Sequence, residues 1–295
     1  MPATHTVYLV DASPYIFRAY FSLPTTMVGK AGTPVNAAYG FAGFLLKLIE
    51  TEQPTHLGLA FDESLNTSFR NEIYPAYKAQ RELPPPELEA QLRWCQQIGR
   101  ALGAAVYVDD RYEADDLIGT LADQLTRRGH RVVVVTSDKD LAQLVDEQVS
   151  LYDFAKEERY DREEVVEKFG VRPEQIPDYL GLAGDAVDNI PGVTGIGPKT
   201  AAALLAGMVS LDGLYDRLAE VATLPIRGAK TLPAKLEASR DVALLSRQLA
   251  TIARDAPVHA DLGELALNGA DPGLVDPLFE ELGFGRIRER IGRWR

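Results

Sequence analysis

Nine acidic side chains fall where a chain could bring them together. Asp11 closes "YLVD", Asp62 closes "LAFD", Asp138 and Asp140 end "VVTSDKD", Glu113, Asp115 and Asp116 crowd "EADD", and Asp185 and Asp188 lie in "GDAVDNIPG". Any one cluster has a plain structural explanation, since Asp and Glu favour the first turn of a helix and Asp after a strand is a common cap. The set concentrates like charge, so something positive has to sit between its members. Carboxylates without His or Cys ligands select hard divalent cations, Mg²⁺ or Mn²⁺, rather than zinc. Nine exceed the needs of one octahedral ion, which points to two ions about 4 Å apart, an arrangement suited to hydrolysis of phosphate esters.

The elements that must position these groups are legible from apolar patterning. "TVYLVD", "HLGLAFD", "AVYV" and "RVVVVTSD" are nearly continuous apolar runs, as strands buried on both faces are, and predict a parallel α/β sheet. Such sheets place their sites beyond the carboxyl ends of the strands, where three of these runs meet aspartate. After "EADD" the apolar residues Ala114, Leu117, Ile118, Leu121 and Leu125 form a helical stripe ending near Gly129, which puts the acidic cluster in the first turn of a helix. Past about residue 155 the strand signals fade and short helical patterns separated by Gly and Pro take over. The predicted division is a core over 1–168 and a helical module over 169–295. Residues 64–87 form a polar, aromatic and proline-interrupted stretch too long for a plain connection.

Two segments suit contact with a polyanion. "GVTGIGPKTAAALL" sets Gly192, Gly195 and Gly197 before a helix starting near Pro198, with Lys199 and Thr200 in its first turn. Glycines permit close approach of the backbone, free N–H groups at a helix start receive phosphate, and the pattern is similar to a helix-hairpin-helix element. "SFRNEIYPAYKAQR" interleaves Arg70, Lys78 and Arg81 with Tyr74 and Tyr77, a mixture suited to phosphate contact and base stacking. The C-terminal arginines Arg286, Arg288, Arg290, Arg293 and Arg295 read first as a basic last helix complementing its own dipole.

Several classes of function are disfavoured. The net charge of -12 argues against indiscriminate binding of polyanions. One cysteine, Cys95, precludes an intramolecular disulfide, and His5, His56, His130 and His259 show no metal-ligand spacing in sequence. No apolar run approaches the roughly 18 residues of a membrane span, and the start lacks signal-peptide features, so a cytoplasmic location is expected.

In order, "YLVDASPYIFRAYF", "AFDE", "SFR", "YPAYKAQR", "YEADDLIGTLA", "VVTSDKDLAQLV" and "GDAVDNIPGVTGIGPKTA" resemble the 5′ nuclease family over nearly the whole chain. The resemblance implies a PIN-like α/β core, a helical arch over about 64–100, and a helix-hairpin-helix-type module around 184–207. It implies a structure-selective 5′→3′ exonuclease or flap endonuclease acting as a monomer on DNA with 5′ ends, flaps or nicks, and on RNA primers paired to DNA. Asp11, Asp62, Glu113, Asp115 and Asp116 would serve mainly a first Mg²⁺ (or Mn²⁺), and Asp138, Asp140, Asp185 and Asp188 a second. Asp62, Asp115, Lys78 and Arg81 would carry catalysis; Arg70, Tyr77, Lys78, Arg81, Gly195, Gly197, Lys199 and Thr200 would face DNA. Backbone groups at Gly192, Val193 and Ile196 would hold K⁺. A degraded, non-catalytic DNA-structure binder and a PIN-type ribonuclease are the alternatives. Arg111 before the "EADD" tyrosine, and Ala186 and Val187, depart from the family's common residues without removing a ligand.

Overall fold

The computed structural model describes residues 3–63, 67–81 and 84–295. Six strands form one sheet in the order β3-β2-β1-β4-β5-β6: β1 Thr6–Asp11, β2 His56–Asp62, β3 Ala105–Asp109, β4 Arg131–Val135, β5 Val149–Asp153 and β6 Glu158–Tyr160. All pairings are parallel except β5 with β6. The four predicted strands are present. The last two follow beyond them because "VSLYD" and "ERY" are too short and mixed to stand out by periodicity.

The direction in which successive strands are added reverses between β1 and β4, the place where open parallel sheets leave a crevice. β1 runs to β2 on one side, and β4 pairs with β1 on the other. Asp11 therefore ends beside the turn that follows β4. Helix α1 (Ser13–Ser22) leaves β1, α2 (Asn36–Glu52) returns the chain to β2, α3 (Phe69–Ile73) and α4 (Pro86–Ala101) lie between β2 and β3, and α5 (Ala114–Arg127) joins β3 to β4.

Each face of the sheet carries a core. Leu117, Ile118, Leu121 and Leu125 of α5 pack on Val7, Leu9 and Val134. This same cluster continues without a break into Leu180 and Leu182 of α7 (Ile176–Ala183), which follows α6 (Arg162–Phe169), and into Leu204 and Leu205 of α8 (Pro198–Met208). On the other face α2 and α4 bury Phe41, Leu45 and Ile98 against Leu57 and Leu59. Val275 and Phe279 of the helix Pro272–Leu282 belong to that second core.

The chain after about residue 265 returns to the α/β core instead of staying with the helical module: Leu267 N–H bonds the Thr55 carbonyl and Asp271 N–H that of Ala101. Apolar patterning identified this helix but carries no information about which body it packs on. The basic last helix is also shorter than expected, one turn at Gly285–Arg288, with Arg288 paired to Asp276 and Arg295 to Asp271. The stretch expected as the arch, about 64–100, holds among the described residues the five-residue α3, turns up to Arg81, and α4 from Pro86; residues 64–66 and 82–83 lie outside the described residues.

Three of the histidines that look scattered in sequence meet at the amino edge of the sheet, opposite the acidic edge. The His5 ring lies 4.5 Å from His56 and 5.6 Å from His130, centroid to centroid. No described helix is long and apolar enough to cross a membrane.

Candidate active site

The strand ends bring Asp11 and Asp62 to neighbouring positions, because Asp11 pairs in register with Ala60. Each is fixed by hydroxyl or amide donors. Thr136 Oγ1, just past β4, donates to Asp11 Oδ2 at 2.8 Å and so bridges the crevice between β1 and β4. Ser13 Oγ donates to Asp62 Oδ2 at 2.7 Å, and the Ala114 N–H at the start of α5 donates to Asp62 Oδ1 at 2.9 Å. "EADD" thus reaches the acidic edge because α5 begins there, with Glu113 as its N-cap and Asp115 and Asp116 in its first turn.

Beyond β4 the Asp140 N–H bonds Asp138 Oδ1 at 2.8 Å and the Asp138 N–H bonds Thr136 Oγ1 at 2.9 Å. Asp185 and Asp188 come from the loop between α7 and α8. Asp185 meets Lys139 Nζ at 2.6 Å, and Asp188 meets Arg81 and the Tyr77 hydroxyl.

Electrostatics separates these carboxylates into two kinds. Burial first, then their mutual repulsion, pushes Asp11, Asp115 and Asp138 upward; Asp140 rises to about 8 for the same reasons. Among the described residues the buried Asp140 Oδ1 has no hydrogen-bond partner. Glu113 behaves oppositely. Burial pushes it up, but Lys78 and Arg70 outweigh that and hold it below the ordinary carboxylate range. Lys78 Nζ sits 2.7 Å from Glu113 Oε2 and 3.7 Å from Asp188 Oδ2, and these partners overcome its own burial to keep it charged.

Asp116 is more completely engaged. Arg70 Nη1 and Nη2 grip its two oxygens at 2.7 and 2.8 Å, the Glu113 N–H adds a bond at 3.1 Å, and the Ala253 N–H one at 2.8 Å. All four acceptor positions of that carboxylate are taken by the chain itself.

The donor set fits hard divalent cations. Eight carboxylates besides Asp116 share the edge, none is joined by His or Cys, and four are raised by burial and then by mutual repulsion, both of which a cation would offset. Among the described residues no three such groups converge into a ready-made cage. The chain's own Lys78 is wedged between Glu113 and Asp188 instead. Asp11, Asp62 and Asp115 on one side, and Asp138 and Asp140 on the other, have no ion pair with a described cation of the chain, while Asp185 pairs with the exposed Lys139.

Of the residues expected at DNA, Lys78 and Arg81 lie at the cleft, and Gly195, Gly197 and Lys199 are exposed with Thr200 partly so. Arg70 and Tyr77 are each 3% exposed and face inward. Arg70 is spent on Asp116 and on the carbonyls of Leu249 and Thr251, and the Tyr77 hydroxyl on Glu113 and Asp188 at 3.1 Å each. Interleaved cations and aromatics suggest a stacking surface in sequence, yet alternate ones point into the core. Arg111 pairs with Glu72, away from the cleft.

In the glycine loop Gly192 has φ +59° and its Cα faces the backbone of Gly184 so closely that a Cβ would lie 2.3 Å from the Gly184 nitrogen. This contact closes the turn between α7 and α8, in which Gly195, Gly197 and Lys199 are exposed and Ile196 is buried. The Val193 carbonyl, one of those expected to hold K⁺, accepts the Ile196 N–H at 2.9 Å.

Sequence inspection missed Ser13, Thr136, Lys139 and Lys235. The first two orient Asp62 and Asp11, Lys139 neutralises Asp185, and the Lys235 ammonium approaches Gly195. Ser13, Thr136 and Lys139 had a signal, their closeness in sequence to Asp11 and Asp138, and Lys235 had none.

Residues 6–170 match the family described as 5'-3' exonuclease, N-terminal resolvase-like domain, and residues 171–273 the one described as 5'-3' exonuclease, C-terminal SAM fold. The chain belongs to the 5'-3' exonuclease family. Its relatives include DNA polymerase I of Bacillus subtilis, 41% identical over 96% of this chain and 32% of that protein. DNA polymerase I of Pseudomonas aeruginosa is 43% identical over 94% and 30%. The chain thus spans about a third of the length of these relatives.

Among solved structures of the same fold, the T5 5'-exonuclease with bound zinc ions superposes with TM-score 0.66 at 20% identity, covering 94% of this chain and 98% of that one. The catalytic core of Rad2 in complex with DNA substrate gives TM-score 0.63 at 15% identity, covering 98% and 91%. The second family match begins at residue 171 and ends at 273, so this member of the 5'-3' exonuclease family carries its final helix outside the matched region and on the α/β core.

Proposed function

We propose that this chain is a structure-selective 5′ nuclease that hydrolyses phosphodiesters in DNA bearing a 5′ end or flap, and in RNA primers paired to DNA. The observation that carries the reading is the placement of Lys78 and Arg81 in the acidic cleft, held there by Glu113 and Asp188. Cations alternate with carboxylates around one opening, which is what a phosphodiester with its partner cations requires.

Asp11, Asp62, Glu113 and Asp115 would hold one divalent cation, and Asp138, Asp140, Asp185 and Asp188 another; Mg²⁺ is the candidate, with Mn²⁺ as a substitute. When bound, the ions supply charge stabilisation at the attacking and leaving oxygens. The chain's own groups then orient and restrain. Ser13 and the Ala114 amide fix the direction of Asp62, and Thr136 that of Asp11. Lys78 has φ +53°, a conformation uncommon for a residue with a side chain, and its N–H is tied to the Asp188 carbonyl. That restraint aims the ammonium into the cleft, where it and Arg81 would take up phosphate charge. The exposed turn from Gly195 to Lys199, at the start of α8, would hold duplex backbone without reading bases, with K⁺ as a further candidate ligand at the carbonyls of Gly192, Val193 and Ile196.

The T5 flap endonuclease has been solved with DNA and metal ions, which supports the same chemistry for this fold. The test is cleavage of a labelled 5′ flap in Mg²⁺ by the intact chain and by Asp62→Ala and Asp138→Ala. Each variant should lose at least about a hundredfold in rate, as loss of a key charge-stabilising group does; undiminished cleavage would sink the proposal. Comparison of flap, nicked, gapped and blunt duplexes assigns substrate preference.

A further inference from the structure

A groove of about 460 Å³ lies on the other face of the sheet from α5, between α1, α2 and the turn joining β5 to β6. Its size is that of a small-ligand site. Tyr15 and Phe44 form its floor with their rings stacked 3.9 Å apart at 8°, and Phe154 meets Phe44 edge-on at 5.6 Å. Arg18, Lys47 and Arg290 stand around it and Glu157 is the one acidic lining residue.

Two features make this more than a solvated face. Arg18, Lys47 and Arg290 form no ion pair with any described residue, whereas most arginines of this acidic chain do, including Arg288 and Arg295 nearby in sequence. Lys47 rests over the Phe154 ring at 5.6 Å, and Arg290 reaches only the Gly43 carbonyl at 3.5 Å. Furthermore, Tyr15 is 6% exposed and its hydroxyl has no hydrogen-bond partner among the described residues. The Phe154 backbone lies against the hydroxyl oxygen, which leaves the O–H proton without an acceptor. A buried orphan hydroxyl in a groove of unpaired cations is a donor waiting for an anionic acceptor.

We propose that this groove binds a short segment of single-stranded nucleic acid, with Arg18, Lys47 and Arg290 on its phosphates, the Tyr15 hydroxyl on an oxygen of the same segment, and the exposed part of Phe44 against a base. Three positive charges against one negative complement a strand rather than an acidic chain like this one, and aromatic rings beside cations suit nucleotides. The assignment rests on the nuclease reading above, since α1 leaves β1 directly after Asp11 and its Ser13 touches Asp62. A strand in the groove would lie alongside the cleaved one, outside the acidic cleft.

The experiment measures anisotropy of a fluorescent oligothymidylate with the intact chain in EDTA, from low to moderate salt, with flap cleavage in Mg²⁺ followed separately. Arg18→Glu/Lys47→Glu/Arg290→Glu should weaken binding at least tenfold and flatten the log–log salt slope by about 2, from three contacts at about 0.7 each. Tyr15→Phe should weaken binding severalfold while leaving the melting temperature equal or higher, because it deletes an unmet donor. Unchanged affinity and slope in the triple variant overturn the proposal. Competition by inorganic phosphate at the same concentration as by a dinucleotide also overturns it in favour of a free-anion site. Loss of cleavage in Asp62→Ala with oligothymidylate binding intact separates this site from the catalytic reading, which fails only if Asp62→Ala still cleaves.

Discussion

Arg70 and Asp116 form a bidentate ion pair at 2.7 and 2.8 Å, with side chains 3% and 0% exposed. The pair joins three separate stretches: α3 through Arg70, the first turn of α5 through Asp116, and the end of the helix Arg240–Ala250 with the segment that follows it, through Leu249, Thr251 and Ala253. Asp116 looks like a metal ligand in sequence and sits where it fastens the helical module to the start of α5.

Asp116→Asn should therefore act through the scaffold. Removing one partner of a buried pair costs about 3 to 5 kcal/mol, so the urea midpoint should fall markedly. Cleavage by the fraction that remains folded should show an unchanged Mg²⁺ half-saturation. A several-fold higher Mg²⁺ requirement would return Asp116 to the ligands.

Lys78→Ala leaves Glu113 and Asp188 without the ammonium between them. The expected result is a loss of about 10² to 10³ in kcat. The variant should also melt lower in EDTA and recover more on adding Mg²⁺ than the unaltered chain does, since a divalent ion replaces the missing charge. Equal Mg²⁺ stabilisation of both proteins would contradict this.

The histidine cluster makes stability depend on pH from the other edge of the sheet. Burial, then the charge of His5, lowers His56 and His130 below their ordinary 6.5. In the unfolded chain both protonate near 6.5, before the folded forms do. Their contribution is thus complete above about 6.5 and is lost as pH falls through that value toward the folded pKa values. The carboxylates raised in the cleft titrate in the opposite sense, so the readout is a difference: His56→Gln/His130→Asn should lose less stability than the unaltered chain between pH 7.5 and 5.5 by chemical denaturation.

Two glycines of one loop should respond differently to alanine. At Gly192 the φ of +59° and the 2.3 Å approach to Gly184 leave no room for a Cβ, and backbone on both sides cannot yield cheaply. Strain of that kind costs about 1 to 3 kcal/mol before the clash is counted. Gly197 has φ -97° with nothing within 4 Å of an added Cβ. Its alanine variant should keep stability within about 0.5 kcal/mol, and any loss of duplex binding there would report direct contact with backbone phosphate.

The sheet and the acidic edge were legible from the chain alone for one reason. Strands buried on both faces are continuously apolar, and an aspartate directly after such a run must emerge at the strand's carboxyl end. That logic holds for Asp11, Asp62 and Asp138 whatever surrounds them. The start of α5 was equally local, because the stripe from Ala114 to Leu125 and the acidic first turn agree. What the chain alone could not decide was how the three charges of "EADD" are tolerated. Residue types and spacing pointed to cations between the carboxylates, and by themselves could not say whose.

Only the tertiary structure assigns Arg70 to Asp116 across 46 positions and Lys78 to Glu113 across 35, leaving Asp115 as the member of the cluster without a cation of the chain. It also gathers three distant histidines and folds the last helix back onto the sheet. Local patterning reports which way a side chain faces along its own strand or helix. Pairing between distant segments depends on how those elements pack, and the free energy that selects the partner of a buried charge exists only once the packing has removed water from both.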